Sequence, residues 1–157
     1  MLNNQRRTFF VTAVTHGRQP LFRRAKLTEL FLDTLFHYRD AQVFLLHEFV
    51  LMPDHFHLII TPSARFSLEK AMQRIKGGFS FQAGRLSAAR LEVWQRSFTH
   101  HLILNPTDLA RHREYILGNP ARAGLVRRAD DYPISSIHQH FRMDVVPEFA
   151  VAEAGRG

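Results

Sequence analysis

The chain contains no cysteine, which excludes disulfide scaffolds and metal sites built from thiolates. It also lacks any apolar run near the roughly 20 residues that a membrane-spanning helix requires. The polar start from Met1 to Thr8 has no apolar segment of the kind found in secretory signals. We therefore expect a cytoplasmic protein with no membrane partner.

Acidic residues are scarce relative to basic ones. Asp and Glu number 14 against 21 Lys and Arg, so the net charge is +7 with neutral histidine and the pI is near 10.7. A small domain this basic indicates a polyanionic partner such as nucleic acid, because binding to phosphates releases counterions. A cationic surface that serves only solubility accounts for the charge equally well.

The composition favours a packed chain rather than a disordered one. Hydrophobic residues make up 45% of the sequence and include 14 Phe, and a length of 157 residues suits one domain. We predict a single domain over residues 1–146. A flexible C-terminal tail is predicted over residues 147–157, where Ala, Glu and Gly predominate.

Strand-like and helical segments follow one another in an order typical of mixed folds. Apolar, β-branched and aromatic patterns predict strands over 8–15, 43–51, 55–61 and 98–103, the middle two forming a hairpin. Helices are predicted over 21–39, after the capping residue Ser67, and from Pro106 to about Asn119, because Pro120 disfavours helical geometry in the residue before it. This order implies an α+β fold with an antiparallel sheet and helices packed largely on one face.

Two histidines stand in alternation at the start of the apolar strand over 55–61. Successive strand residues point to opposite faces, so His55 and His57 share one face. Tyr115 and Asn119 are four residues apart and emerge on one face of the last helix. If that face lies against the strand, one site gathers two imidazoles, an amide oxygen and a phenol.

Such a donor set predicts a metal centre with a tyrosine nucleophile. Two nitrogens and one oxygen leave coordination positions open for water and a phosphate oxygen, which favours Mg2+ or Mn2+, although paired imidazoles also accept Zn2+, Co2+ or Ni2+. A tyrosine phenol ordinarily titrates near ~10, so it needs a nearby cation or base to act as a nucleophile. A covalent phosphotyrosine keeps the energy of the cut bond available, so strand joining can follow cleavage.

Each of these residues also has a purely structural interpretation. His55 and His57 can be partly exposed strand histidines, and a helical tyrosine such as Tyr115 is more often part of a core or an interface. Asn119 fits equally well as the C-terminal residue of a helix. A second pair, in His138-Gln139-His140, is set aside because it follows a turn region and lacks an adjacent apolar strand.

Three sequence blocks carry a resemblance to a known family. They are Met52-Pro53-Asp54-His55-Phe56-His57-Leu58, Trp94-Gln95, and Tyr115-Ile116-Leu117-Gly118-Asn119-Pro120-Ala121-Arg122-Ala123-Gly124-Leu125-Val126. In these blocks the chain resembles the REP-associated tyrosine transposases, which belong to the HUH single-tyrosine transposases of insertion sequences. Asp131-Tyr132-Pro133 and Ser135-Ser136 extend the resemblance to roughly residues 6–140.

The resemblance implies a ferredoxin-like α+β fold and Mg2+- or Mn2+-dependent cleavage and rejoining of single-stranded DNA. It implies that His55 and His57 are metal ligands and that Tyr115 is the nucleophile, leaving a 5′-phosphotyrosine and a free 3′-OH. Asn119 matches the position of the family's third ligand, which is Gln in several relatives. Asp54, where relatives often carry Asn, and Gly118, where many have a bulkier residue, are the departures from the family pattern.

The resemblance also implies recognition of short DNA hairpins, by a monomer or a homodimer. Seven basic residues would supply phosphate contacts: Arg74, Lys76, Arg111, Arg113, Arg122, Arg127 and Arg128. A domesticated hairpin-binding protein that no longer cuts DNA is the alternative. A nucleotide hydrolase of the histidine-triad type is a third possibility, but that motif requires a further histidine at the position of Ile59.

Overall fold

The fold is a four-stranded antiparallel sheet with three α-helices, seen in a computed structural model that describes residues 6–87 and 92–149. The strands are β1 (Phe9–Val14), β2 (Phe44–Met52), β3 (His55–Pro62) and β4 (Thr99–Leu102), in the spatial order β2-β3-β1-β4. The helices are α1 (Ala25–Asp40), α2 (Leu68–Gly84) and α3 (Pro106–Arg122). None of the helices described is long and apolar enough to cross a membrane.

The predicted hairpin is present, and β3 lies inside the sheet. Met52 of β2 faces His55 of β3, so only two residues connect these strands. On its other side β3 pairs with β1, where Thr12 faces His57. An interior position explains why β3 is apolar on both of its faces.

The sheet separates two hydrophobic cores. Helices α1 and α2 cover one face, with Phe31, Leu35, Met72 and Phe79 packed among the strand residues that point towards them, such as Phe56. The opposite face carries α3, whose buried residues include Leu109 and Ile116, packed with Val50, Met52, Ile59 and Ile103. Since His55, His57 and Ile59 alternate with Phe56 and Leu58, the two histidines point towards α3.

Two predicted helix boundaries are wrong. Residues 21–23 form a separate 3-10 turn, and α1 begins only at Ala25. Helix α3 does not end at Asn119 but continues to Arg122. Pro120 has no N–H to donate, yet the main-chain N–H of Ala123 donates to the Asn119 carbonyl (2.9 Å) and that of Leu125 to the Pro120 carbonyl (3.0 Å), so this last turn is held from beyond the proline.

The segment after α3 crosses back to the free edge of β2. Ser135 forms an antiparallel bridge with Val50, and the Tyr132 hydroxyl donates to the Leu51 carbonyl (2.5 Å). The Asp144 N–H donates to the Leu46 carbonyl (2.7 Å). Of the predicted tail, residues 150–157 lie outside the described part of the chain.

Candidate functional site

A cleft between the sheet and the C-terminal half of α3 contains all of the predicted catalytic and metal-ligating residues. The cleft is lined by Phe10, Thr12, Val14, Arg18, Met52, His55, His57, Tyr115, Asn119, Arg122 and Ala123. Strand β3 supplies the two histidines, and α3 supplies the tyrosine and the asparagine one turn apart. The helix face that carries these two side chains therefore lies against the strand that carries the histidines, which the spacing of the residues left open.

His57 is buried, with one ring nitrogen engaged and the other free. Its Nδ1 lies 2.7 Å from the Thr12 Oγ1 across the β1–β3 pair. Its Nε2 is buried without a hydrogen-bond partner. Burial lowers the pKa of His57 to about 3, helped by the positive charges of His55 and Arg122, so the imidazole is neutral at physiological pH. A neutral imidazole whose Nδ1 carries the proton presents the Nε2 lone pair to the cleft.

His55 is oriented by the carboxylate that precedes it. Its Nδ1 lies 2.6 Å from Asp54 Oδ1, and Arg18 Nη1 lies 3.4 Å from Asp54 Oδ2. Burial alone would raise the pKa of Asp54, but the hydrogen bond and charge of His55, together with Arg18, lower it, so Asp54 is ionised. An ionised carboxylate accepts the Nδ1–H and leaves Nε2 as the free ligand atom of His55.

Tyr115 lies at the mouth of the cleft, between an imidazole and a guanidinium. Its side chain is 44% exposed, and the centroid of its ring is 5.3 Å from that of His57. On the other side, the Arg122 Cζ lies 4.6 Å from the centre of the phenol ring, and the Arg122 Nη2 donates to the Tyr115 carbonyl. Gly118 leaves room for this contact, since a Cβ there would lie 2.6 Å from Arg122 Nη1.

Asn119 supplies the second unpartnered polar atom of the cleft. The residue is buried at 9% exposure, and its Oδ1 has no hydrogen-bond partner. Leaving a buried acceptor unpaired costs on the order of 1–3 kcal/mol, so such an atom calls for a partner such as an ion or a water molecule. The Asn119 oxygen and the His57 nitrogen line the same cleft, and their chemistry fits a divalent cation with mixed nitrogen and oxygen ligands.

Comparison with protein families identifies the family of this chain. A family model described as "Transposase IS200 like" matches residues 6–119, which is more than half of the chain. The chain belongs to the IS200-like transposase family. The predicted resemblance is confirmed.

Relatives of this transposase include two bacterial proteins. A provisionally named REP-associated tyrosine transposase of Haemophilus influenzae is 28% identical over 166 residues, which cover 94% of this chain and 92% of that protein. A REP-associated tyrosine transposase of Escherichia coli K12 is 30% identical over 105 residues, covering 66% of this chain and 61% of that protein.

A solved structure shares the fold of this transposase. It is a REP-associated tyrosine transposase bound to a REP hairpin, with a TM-score of 0.75 and 22% sequence identity over 98% of this chain and 94% of that one. The predicted α+β fold is confirmed by this likeness.

The basic residues predicted to contact DNA do not form one patch. Arg74 and Lys76 belong to α2, on the face of the sheet opposite to α3. The Lys76 Nζ donates to the carbonyls of Gln95 (3.0 Å) and Ser97 (3.3 Å), so this residue fixes a loop. On the face that carries α3, only Arg122 of the predicted set lines the cleft.

The remaining predicted arginines differ in their surroundings. Arg113 is paired with Glu48 (3.4 Å), and Arg128 lies near Asp130 (3.3 Å) in an exposed pair. Arg111 and Arg127 are exposed, and the described part of the chain gives them no ion pair.

Sequence reasoning missed the residues that hold the two histidines. The Thr12 hydroxyl meets His57 only because β1 pairs with β3 in this register, which no local pattern reveals. Asp54 carried a signal, since a carboxylate directly before a histidine can reach its Nδ1. The second histidine pair lies outside any strand, and His138 Nε2 is 2.7 Å from the Tyr132 carbonyl.

Proposed function

We propose that the protein cleaves and rejoins single-stranded DNA beside a hairpin, with Tyr115 as the nucleophile and a divalent metal held by His55, His57 and Asn119. The observation that carries the proposal is the pair of buried unpartnered ligand atoms, His57 Nε2 and Asn119 Oδ1, in the cleft that also holds the phenol. Membership of a transposase family supports a DNA-processing role.

The donor set of this cleft suits Mg2+ or Mn2+. Two imidazoles and an amide oxygen leave positions for water and a phosphate oxygen. The chemistry that a bound ion supplies is polarisation of the scissile phosphate and neutralisation of its developing charge. Asp54 and Thr12 hold the protons of the imidazoles on Nδ1, so both Nε2 atoms remain available as ligands.

In the first step the Tyr115 Oη attacks the phosphorus. A phosphorus–oxygen bond forms to the phenol, the bond to the 3′ oxygen breaks, and the phenolic proton is balanced by the proton taken up at the leaving 3′-OH. The product is a 5′-phosphotyrosine with a free 3′-OH, and attack by a 3′-OH reverses the step. Exposure of the Tyr115 side chain gives a DNA strand access to the nucleophile.

Arg122 positions the nucleophile. Its guanidinium lies over the phenol ring, with Cζ 4.6 Å from the ring centre, and this cation–π contact holds the ring at the mouth of the cleft. The same cation lines the cleft that holds Tyr115, so it is available to a phosphate bound there. Arg122 therefore serves both as the predicted phosphate contact and as a positioning residue.

A hairpin partner is supported by the solved relative with the same fold, which is bound to a REP hairpin. The net charge of +7 supplies the electrostatic attraction that such a partner requires. The four proposed site residues line one cleft of a single chain, which supports a monomer as the acting unit, with a homodimer as the alternative.

The test is formation of a covalent adduct with a radiolabelled oligonucleotide that carries a hairpin next to single-stranded flanks. In Mn2+ the unmodified protein should give an adduct that survives denaturing electrophoresis, and Tyr115→Phe should abolish it. Tyr38→Phe is the matched control, because Tyr38 lies on α1 across the sheet and should leave the yield unchanged.

Two results would redirect the proposal. An adduct that persists in Tyr115→Phe would assign the nucleophile elsewhere. Tight, salt-sensitive hairpin binding without any adduct in Mg2+, Mn2+, Co2+ or Zn2+ would identify the domesticated, non-cleaving binder instead.

A further inference from the structure

A second group of metal-binding side chains lies outside the cleft, at the other end of α3. It consists of His101 on β4 and of Asp108 and His112 on the first turns of the helix. Each residue offers one ligand atom, and these atoms lie within 4.8 Å of one another. No residue of this group lines the cleft or is used in the proposed cleavage reaction.

The contacts within this group centre on Asp108. The His101 Nε2 lies 2.8 Å from Asp108 Oδ2, and the His112 Nδ1 lies 3.2 Å from Asp108 Oδ1 and 2.8 Å from the main-chain carbonyl oxygen of the same residue. The two imidazole rings are stacked, with centroids 4.6 Å apart and planes 18° from parallel. Two imidazoles from two different elements thus converge on one carboxylate. A single cation can bind all three groups in place of the contacts between them.

Phe10 separates this group from the cleft. Its ring lies 5.3 Å from that of His57 on one side and 4.9 Å from that of His112 on the other, measured between centroids. The Phe10 ring offers no ligand atom and lies between the two groups of side chains. An ion bound by one group therefore does not share ligands with an ion bound by the other group. The two groups are therefore separate sites on one helix.

We propose that His101, Asp108 and His112 form a second site, for a late first-row divalent cation such as Zn2+ or Co2+. Two imidazoles and one carboxylate are typical ligands of these ions. Ligands at roughly 2.0–2.2 Å from a tetrahedral ion lie about 3.4 Å apart. This spacing is shorter than the 4.8 Å within which the three ligand atoms lie here, so they must move closer together to bind an ion. The His101 side chain is 46% exposed on an edge strand, so it is free to make the small rotation that closes the site.

The physical consequence is a link between β4 and the start of α3. Asp108 already accepts from the Leu104 N–H (3.0 Å), so the loop before the helix is held by the same carboxylate. A cation here fixes the end of the helix that lies opposite to Tyr115 and Asn119. Because it binds only the folded chain, it raises the thermal stability in proportion to the logarithm of its concentration.

The test is a Co2+ titration followed by visible absorption, together with Zn2+-dependent thermal unfolding, on His55→Ala/His57→Ala protein without DNA. This background removes the histidines of the cleft, so we expect one remaining ion with a tetrahedral Co2+ spectrum and a rise in Tm with Zn2+. Adding His101→Asn should weaken Co2+ binding at least about ten-fold and remove the Zn2+-dependent rise in Tm. His100→Asn is the matched control, because His100 is the residue next to His101 on β4 and its ring packs against Phe9 of the adjacent strand β1.

The outcomes are decisive without reference to DNA cleavage. Unchanged Co2+ binding in His101→Asn, or no binding in the His55→Ala/His57→Ala protein, overturns the second site. If the His55→Ala/His57→Ala protein does not fold, the number of Co2+ ions bound per chain is measured in the otherwise unmodified protein instead. His101→Asn must then lower that number by one. Loss of adduct formation in the DNA assay would leave these results unaffected, so the two proposals fail separately.

Discussion

Each histidine of the cleft has an oxygen atom at its Nδ1, and this contact decides which ring nitrogen faces outward. For His57 the oxygen belongs to Thr12, which is a neutral partner, and for His55 it belongs to Asp54, which is a charged one. Hydrogen-bonding partners of this kind fix the ring orientation and the tautomer of a metal-ligating histidine. The proposed metal site therefore depends on Thr12 and Asp54, which are not among its proposed ligands.

Replacing Thr12 by Val tests this dependence. Val keeps the β-branched shape that suits the strand but removes the hydroxyl, so the His57 ring loses its only hydrogen bond within the described chain. We expect the Mn2+ concentration for half-maximal adduct formation to rise about 10–100-fold. Thr12→Ser retains the hydroxyl and should stay near the unmodified value; equal behaviour of the two variants would contradict the role of Thr12.

Gly118 is predicted to matter for activity but not for stability. An Ala side chain there displaces the Arg122 guanidinium, which is the mobile end of an exposed side chain, while helix propensity improves by up to about 1 kcal/mol. Loss of the contact between Arg122 and the phenol, worth about 0.5–1 kcal/mol, should slow adduct formation about three-fold with no fall in Tm. The control is Gly77→Ala, where the added Cβ meets nothing within 4 Å and adduct formation should not change.

The buried neutral histidines make stability depend on pH. Because the folded-state pKa of His57 is about 3, the unfolded chain takes up a proton first as the pH falls below about 6.5, and stability is lost. His57 alone should cost about 2 kcal/mol between pH 7 and pH 5. His47, whose pKa burial also lowers, adds to this loss, and Glu48, whose pKa burial raises, opposes it.

Urea unfolding with a chelator at pH 7 and pH 5 measures this effect. The loss of unfolding free energy should shrink in His57→Asn, because the group that titrates has been removed. His100→Asn should show the same loss as the unmodified chain, since His100 is exposed. An unaltered pH dependence in His57→Asn would mean that the imidazole is not held neutral in the fold.

At the scale of elements, the edge of β2 is held by the segment that follows α3. Asp144 accepts from Arg39 on α1 through both carboxylate oxygens, at 3.0 and 2.8 Å, and from the Leu46 N–H at 2.8 Å. One carboxylate thus joins a helix, an edge strand and the C-terminal segment. An edge strand that is covered in this way is protected from pairing with other chains.

Two substitutions compare how much Asp144 and Asp40, which both contact Arg39, contribute to the free energy of unfolding. Asp144→Ala should lower the unfolding free energy by about 1.5–3 kcal/mol, because a partly buried, charged hydrogen-bonding group is lost. Asp40 approaches Arg39 at 3.5 Å but is 70% exposed, so Asp40→Ala should cost no more than about 0.5 kcal/mol. Urea unfolding of both variants gives the comparison, and similar costs would refute a special role for Asp144.

Over the whole molecule, alternation and capping residues predicted most of the fold. The pattern around His55 and His57 predicted the strand and the face that the histidines share. Pro106 marked the start of α3, where the Oδ1 of the preceding Asn105 accepts from the Asp108 N–H (2.8 Å). The continuation of α3 beyond Asn119 was not predictable from Pro120 alone. It depends on main-chain bonds from the residues that follow and on Gly124 at a φ of +76°.

Register and packing were equally hidden from local patterns. The contact between Thr12 and His57 joins residues 45 positions apart, and only the strand pairing determines it. Glycine lowers helix propensity, yet α2 passes through Gly78. A Cβ there would lie 2.8 Å from Tyr38 Cε2, so the glycine permits the close approach of α1 and α2.

The distribution of charge over both faces leads to a prediction about DNA binding. Binding that releases counterions weakens linearly with the logarithm of the salt concentration, and the slope falls by about 1 for each phosphate contact that is removed.

Arg111 and Arg127 are exposed and without an ion pair in the described chain. If DNA follows the face of α3, Arg111→Ala and Arg127→Ala should therefore each reduce the slope for hairpin binding. Lys76→Ala should leave the slope nearly unchanged, because this ammonium group is bound to two carbonyls on the other side of the sheet. Fluorescence anisotropy across a salt series measures the slopes, and a larger effect of Lys76→Ala than of either arginine variant would place the DNA on the side of α2 instead.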